Sequence, residues 1–349
     1  MYIFNPEHDL CLANGDIHFV PPQSALDFGR DCASLAQFMR GLDLQADYDD
    51  PVPIKIVPWG WNSVLRDRLL KEGYSPQLMP SDDTLAAIRE LSDRRVALKA
   101  LEYLNQKRES IFTEPGYRIA AQSLGEVKEF LEREKNVVLK APLSGSGKGI
   151  RFVANTLSHS DEGWCSNLIK RHGCVVVERR FAPVLEFAML FNCAGPDEGS
   201  RVLFVGYSLF YTQNGMYKGN ILASDEWIEN EILKYIPRVK LALAKELLME
   251  FVRENIATRY EGFVGIDQFV YQPFDDRQYR YNPVVEINLR MTMGLIAHNI
   301  YMLREGIQAA AASEAIQEQM KDGSHYFEII RGKKGSKEGY SYIIAPIVK

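Results

Sequence analysis

The sequence predicts a soluble α/β chain with α+β elements: an open N-terminal α/β lobe at residues 1–91, a smaller lobe at 92–177 and a larger one at 178–349. Three observations predict it. Short apolar runs alternate with helical apolar spacing through the first lobe. A glycine-rich hairpin lies between Asn136 and Val153. Two strands, at 262–271 and 282–290, carry acids within apolar runs.

The chain of 349 residues is long enough for two or three lobes. Its 46% apolar and 25% charged residues are ordinary for a soluble globular protein. A formal charge of −5 argues against nucleic acid or an anionic membrane as the main partner. No apolar run approaches the roughly 20 residues that span a bilayer, and the first residues lack the basic-then-apolar pattern of a signal peptide. Cys11, Cys32, Cys165, Cys174 and Cys193 form no CxxC pair and read as scattered reduced thiols of a cytoplasmic protein.

In the first lobe, Met1 to Phe4 is a strand that ends at the turn signal Asn5-Pro6. Glu7, His8 and Asp9 follow at its end. Leu26 to Leu42 has helical apolar spacing, and Ile54 to Val57 is a second strand stopped by Pro58-Trp59-Gly60-Trp61. Asn62 is placed to cap a helix through Leu70, and Gln77 to Met79 reads as a third strand. Ligands of open α/β lobes sit beyond the carboxyl ends of the strands. Both Glu7-His8-Asp9 and the Trp59/Trp61 loop fall there. They read either as part of a second substrate's pocket or as turn capping and aromatic packing between lobes.

Ser92 or Asp93 can cap a helix through Ala100 and Leu104. Gly116 to Ala120 reads as a strand, and Ser123 caps a helix from Leu124 to Glu134 with Glu126 in box position. That helix feeds the buried strand Val137 to Leu139, whose hairpin partner is Ile150 to Val153. Ser144, Gly145, Ser146, Gly147 and Gly149 offer little bulk between them, so consecutive backbone N–H groups can lie against an anion. Lys140 and Lys148 bracket the loop, and phosphate is the anion expected; a plain flexible turn is the other reading. A P-loop is excluded, because Pro142 and Gly149 stand where that motif needs glycine and Ser or Thr.

Cys174 to Pro183 begins as a buried strand and breaks into a connector at Glu178, whose backbone can serve an adenine edge. Glu186 begins a strand and can accept a bond from a ribose hydroxyl. Either glutamate alone also reads as a solvated strand end. Phe210 to Asn220 reads as a polar, aromatic loop in which Lys218 reaches phosphate or a substrate carboxylate, or is merely solvated. Asp267 stands in mid-strand, and the return strand after the Asp275-Asp276 turn carries Glu286, Asn288 and Arg290 on one face, since residues two apart point the same way. Two carboxylates and an amide oxygen are hard ligands suited to Mg²⁺. The alternative is an exposed polar sheet face, against which the apolar flanks argue. Pro237 to Arg253 is a structural amphipathic helix. The tail reads as a helix at Ile307 to Met320, a strand at Tyr326 to Ile330, a basic turn at Arg331 to Gly335 and a strand at Tyr340 to Ile344.

The ordered set of lysine strand, glycine-rich hairpin, glutamate connector, Asp strand and Glu-x-Asn-x-Arg strand resembles the ATP-grasp superfamily over roughly residues 92–300. The resemblance implies ATP and Mg²⁺ (or Mn²⁺) as cofactors. Lys140 would then contact the phosphates, Ser144 to Lys148 close as a lid, Glu178 and Phe181 meet adenine, Glu186 meet ribose, and Lys218 reach phosphate. Asp267, Glu286 and Asn288 would hold the metal, and Arg290 would stabilise the transferring phosphoryl group. Members usually carry a further lysine in an Asp-Lys pair ahead of the lid. Here that pair is Asp93-Arg94, so Arg94 substitutes or Lys99 serves. The implied activity is ligation of a small-molecule or peptide carboxylate, activated as acylphosphate, to an amine or other nucleophile such as a thiol. Such chemistry rests on positioning and charge neutralisation and needs no protein nucleophile. A small-molecule kinase and a non-catalytic nucleotide-binding module are the alternatives, and a homodimer is left open.

Overall fold

A computed structural model of the chain describes residues 1–39, 55–107, 116–144, 149–194, 199–213, 216–273, 276–308, 322–332 and 339–347, with backbone alone for 304–308. In the first lobe Tyr2–Ile3 (β1) runs parallel to Val57–Pro58 (β2). The helices His8–Asn14 (α1), Gln23–Asp31 (α2) and Ala36–Met39 (α3) lie between them in sequence. The single helix expected over Leu26 to Leu42 is divided, because the chain turns through Cys32 and Ala33–Leu35. This turn lets Cys32, Leu35 and Met39 all reach the interior. Residues 40–42 of that stretch, and Ile54, lie outside the described residues.

Ser63–Lys71 (α4) is capped by Asn62, whose Oδ1 accepts from the Leu65 N–H at 2.9 Å. The strand expected at Gln77 to Met79 is instead one tight turn of helix, Pro76–Leu78. Pro76 pre-sets its φ, and the Ser75 hydroxyl takes the Gln77 N–H. Asp82–Leu91 (α5) and Arg95–Lys107 (α6) follow. The first lobe shares its core with the rest of the chain: Phe4, Leu35 and Trp59 lie in one buried cluster with Ala188, Leu295 and Phe327.

Arg118–Ala121 (β3), Asn136–Lys140 (β4), Ile150–Ala154 (β5) and Val175–Arg179 (β6) form an antiparallel sheet in the order β3-β6-β4-β5. The lobe boundary expected after residue 177 falls inside β6. Leu124–Glu134 (α7) and His159–His172 (α8) start at Ser123 and Ser158, each hydroxyl accepting a first-turn N–H. Alternation sorts the two faces. Val137, Leu139, Val175 and Val177 are buried against Phe130 and Leu168, so Lys140, Glu178 and Arg118 project from the opposite face.

The larger sheet has the strand order β11-β10-β7-β8-β9-β12-β13. Its strands are Pro183–Cys193 (β7), Val202–Gln213 (β8), Met216–Leu222 (β9), Gly262–Tyr271 (β10), Arg280–Asn288 (β11), His325–Arg331 (β12) and Tyr340–Pro346 (β13), all antiparallel. Asp225–Ile232 (α9), Arg238–Asn255 (α10) and Met293–Gln308 (α11) complete the chain's described helices. On β7, Phe187, Met189 and Phe191 pack on one face with α10 residues such as Leu248. Ala188 and Leu190 pack on the other with Leu295 and Ile296 of α11. Each large apolar side chain so buried contributes roughly 2 kcal/mol.

Two expectations change here. Of the stretch Phe210 to Asn220, expected as a loop, residues 210–213 and 216–220 are the ends of β8 and β9, paired from Phe210↔Asn220 to Gln213↔Met216, while Asn214 and Gly215 lie outside the described residues. Glu186 lies in the interior of β7 rather than at its start. Asp275, residues 309–320 of the expected tail helix and residues 333–335 of the basic turn lie outside the described residues.

Candidate active site

The charged face of the smaller sheet is turned toward β11 of the larger one. Arg118 crosses between them: its Nη1 donates to the Val284 carbonyl at 3.2 Å, and its Nε donates to Glu178 Oε2 at 2.7 Å. Arg118 and Glu178 are direct cross-strand partners. The other carboxylate oxygen of Glu178 pairs with Lys140 Nζ. All three side chains are buried. Burial pushes the Lys140 ammonium below its usual range, with Glu178 partly offsetting the shift. Burial would raise the Glu178 carboxyl, but Arg118 and Lys140 outweigh it and hold it below the ordinary value. The Glu178 side chain, expected at adenine, is therefore committed to two cations, and its backbone is paired within the sheet, between Arg118 of β3 and Val138 of β4; the strand expected to break into a connector at Glu178 runs on to Arg179.

At the base of the glycine-rich loop, the Ala141 N–H donates to the Gly149 carbonyl at 2.8 Å. Gly149 has φ +75°, and a Cβ there would meet Ser144 Oγ at 2.7 Å, so the loop closes only around glycine. Gly145, Ser146, Gly147 and Lys148 lie outside the described residues. Arg94, just before α6, fastens this base. Its Nη1 donates to the Ala141 carbonyl at 2.5 Å and to Ser144 Oγ at 2.6 Å, while Nη2 reaches Glu286 Oε1 at 2.8 Å. Lys99 is exposed on α6. Of the two residues offered for the early cation, only Arg94 is placed at the loop.

On the larger sheet Asp267 and Glu286 are direct cross-strand partners, and the ladder shifts immediately after Asp267. Asn288 Nδ2 donates to Asp267 Oδ2 at 3.1 Å, and Arg290 Nη2 donates to Asn288 Oδ1 at 3.0 Å. Asp267 keeps some contact with solvent at the cleft, yet desolvation and then the Glu286 charge raise its carboxyl to about 7. Two carboxylates held this close ask for a cation between them. Among the described residues no group of three or more His, Cys, Asp or Glu converges on a metal position. The set is two carboxylates and one amide oxygen, with Glu286 Oε1 also accepting from Arg94 and Asn288 Oδ1 from Arg290; their remaining lone pairs fit a hard ion that keeps water and phosphate oxygens as further ligands.

Along the same face, Glu186 accepts from Thr212 Oγ1 at 2.8 Å and from the Thr212 N–H at 3.2 Å. Burial raises its carboxyl, and the Thr212 bonds partly offset this. Lys218 is half-buried on β9 at a register shift: Tyr211 pairs with Gly219 and Thr212 with Tyr217, so Lys218 is the extra residue of a bulge and strand alternation does not set its face. Phe181, in the connector between the sheets, packs on Tyr271 with ring centroids 4.4 Å apart, and on Phe269 and Tyr117 at 5.5 and 5.4 Å. An aromatic wall thus stands where the two sheets join.

The N-terminal lobe reaches the site through Asp9, whose Oδ1 accepts from Arg290 Nε at 2.9 Å. Asn5 and Gly60 exchange side-chain-to-backbone bonds, and Asn62 Nδ2 lies 3.3 Å from His8 Nδ1. A Cβ on Gly60 would fall 2.6 Å from the His8 ring, so the Trp59/Trp61 loop closes on His8 only with glycine there. Sequence reasoning missed Arg118 altogether. Its signal was a basic residue in the apolar strand Tyr117 to Ala121, in alternation with the residues facing the helices.

A small sheet carrying the lysine, set over a larger sheet carrying the acids, is the arrangement that the resemblance to the ATP-grasp superfamily implied. No family model and no curated protein matches the chain. Among solved structures, the chain is similar to N5-carboxyaminoimidazole synthetase from Staphylococcus aureus complexed with ADP, at 16% identity over 95% of this chain and 82% of that one, TM-score 0.48. It is also similar to a biotin carboxylase from Campylobacter jejuni at 15% identity over 79% of this chain and 58% of that one, TM-score 0.45. A third is D-alanyl-alanine synthetase A from Vibrio cholerae, at 14% identity over 77% and 76% of the two chains, TM-score 0.42. These likenesses are loose, and the residue roles below rest on this chain's own geometry.

Proposed function

We propose that the chain is an ATP- and Mg²⁺-dependent ligase that activates a carboxylate as its acylphosphate for attack by an amine or another nucleophile. One observation supports this above the rest: Arg94 joins Ala141 and Ser144, at the base of the glycine-rich segment, to Glu286, beside Asp267, across the cleft between the two sheets. Cations on one wall and paired acids on the other suit a nucleotide triphosphate with its metal. Lys140 and Arg94 receive phosphate oxygens, the 144–149 loop covers them, and the Phe181 wall holds the base. Glu186 takes the ribose, and Lys218 a phosphate or a substrate carboxylate. Asp267, Glu286 and Asn288 are the residues that would hold Mg²⁺, which neutralises phosphate charge when bound. Arg290 faces the transferring group. The substrate carboxylate supplies the attacking oxygen, so the chain's own work is to orient, desolvate and neutralise.

The test is a screen of paired carboxylates and amines or thiols for ADP release, with product masses recorded. A ligase releases ADP and inorganic phosphate together, and only when acid and nucleophile are both present. Phosphorylated product without free phosphate would instead make the chain a kinase.

A further inference from the structure

Arg290 has five N–H bonds, and the structure accounts for three of them. Nε donates to Asp9 Oδ1 at 2.9 Å, Nη1 to the Met291 carbonyl at 3.1 Å and Nη2 to Asn288 Oδ1 at 3.0 Å. Each terminal nitrogen keeps a second N–H without a partner among the described residues. The guanidinium also lies over the Trp59 ring, with Cζ 5.9 Å from its centroid. Asp9 lies in the first turn of α1, and its own position is fixed from several sides. The bond from Met291 N–H to the Trp59 carbonyl, at 2.8 Å, fastens the strand end carrying Arg290 to the loop that packs on His8. Asn5 and Gly60 lock that loop to the turn before α1. Burial would raise the Asp9 carboxyl, but Arg290 above all, with Arg94, outweighs it and holds it below its ordinary value.

We infer that Asp9 is a positioning residue for phosphoryl transfer: it grips the Arg290 fork through Nε and leaves one N–H on each terminal nitrogen directed to the γ-phosphoryl oxygens. This rests on the reading that Arg290 faces the transferring group. It gives the N-terminal lobe a chemical part in the site, because Arg290 alone could pivot about its long side chain, whereas a fork held at three points is pre-organised. A neutral asparagine keeps the volume but loses the charge-assisted bond.

The measurement is the ratio of affinities for AMP-PNP and ADP, both with Mg²⁺, taken by calorimetry on the full chain. The ratio isolates the γ-phosphoryl contact, which a merely structural role for Asp9 would not move. Asp9→Asn should lose about tenfold of the wild-type ratio, Asp9→Glu about threefold, and Arg290→Ala at least as much as Asp9→Asn. An unchanged ratio in Asp9→Asn, with loss in Arg290→Ala, overturns the role of Asp9 and leaves the site reading standing. An unchanged ratio in Arg290→Ala overturns both. If Asp9→Asn does not fold, Asp9→Glu decides: a reduced ratio supports the inference, and an unchanged one overturns it.

Discussion

Arg94 Nη2 and Glu286 Oε1 lie 2.8 Å apart although 192 residues separate them in the chain. This contact spans the cleft between the small sheet and the large one, and the same guanidinium holds the glycine-loop base. A lysine has one donor centre and cannot serve the Ala141 carbonyl, Ser144 and Glu286 together. Arg94→Lys should therefore weaken Mg-ATP binding about tenfold while leaving the fold intact, as calorimetry and circular dichroism would show. Arg94→Met should in addition lower stability to urea by about 2 to 3 kcal/mol, less than a fully buried pair because Glu286 keeps some solvent contact.

Glu178 holds two buried cations, Lys140 and Arg118. Glu178→Gln leaves both without a counter-charge, so stability should fall by about 3 to 5 kcal/mol in urea denaturation. Adding Arg118→Met to Glu178→Gln should recover part of that loss, since one stranded charge is removed. Equal stability of wild type and Glu178→Gln would show that this triad is not charged as described.

His8 is buried and neutral, with burial bringing its pKa from 6.5 down to about 4. The unfolded chain takes up a proton below about pH 6.5 that the folded chain refuses until about pH 4, so this residue makes folding less favourable as the pH falls through that window. The loss is on the order of 3 kcal/mol. His8→Asn should flatten the dependence of urea stability on pH between 7 and 4 relative to wild type. Identical slopes would place the acid sensitivity elsewhere.

The parts legible in sequence were those whose signal is local. Ser123 and Asn62 cap the helices their spacing indicated, and the period-two placement of Glu286 and Asn288 on β11 follows from strand geometry. The Pro76–Leu78 turn was misread as a strand because its three residues lack periodicity, while the cap chemistry of Ser75 and Pro76 decides the backbone. What stayed hidden depends on packing between distant segments. Asp9 and Arg290 meet only because Trp59 bonds to Met291. Glu178 turns from adenine to Arg118 because β3 lies beside β6. The division of the helix after Asp31 likewise follows from burying Cys32 and Leu35 in a core shared with α11.

Glu286→Gln removes one of the two paired acids while keeping its volume. It should lower turnover at least about tenfold once a substrate pair is known, a loss of roughly 1.4 kcal/mol in transition-state stabilisation. Measured kcat with thermal stability alongside checks this. A collapse in stability without a specific loss of kcat would mark the strand pair as structural.

In the proposed function, the cleft between Lys140 and Arg94 on one side and Asp267 and Glu286 on the other receives ATP together with Mg²⁺. Calorimetric titration of ATP with and without Mg²⁺ tests it most directly. Without the ion, the two acids face the phosphates unscreened. Binding should be at least about tenfold tighter with Mg²⁺, and Glu286→Gln should lose most of that difference. Equal affinity in the two conditions, or no binding of ATP in either, would contradict it.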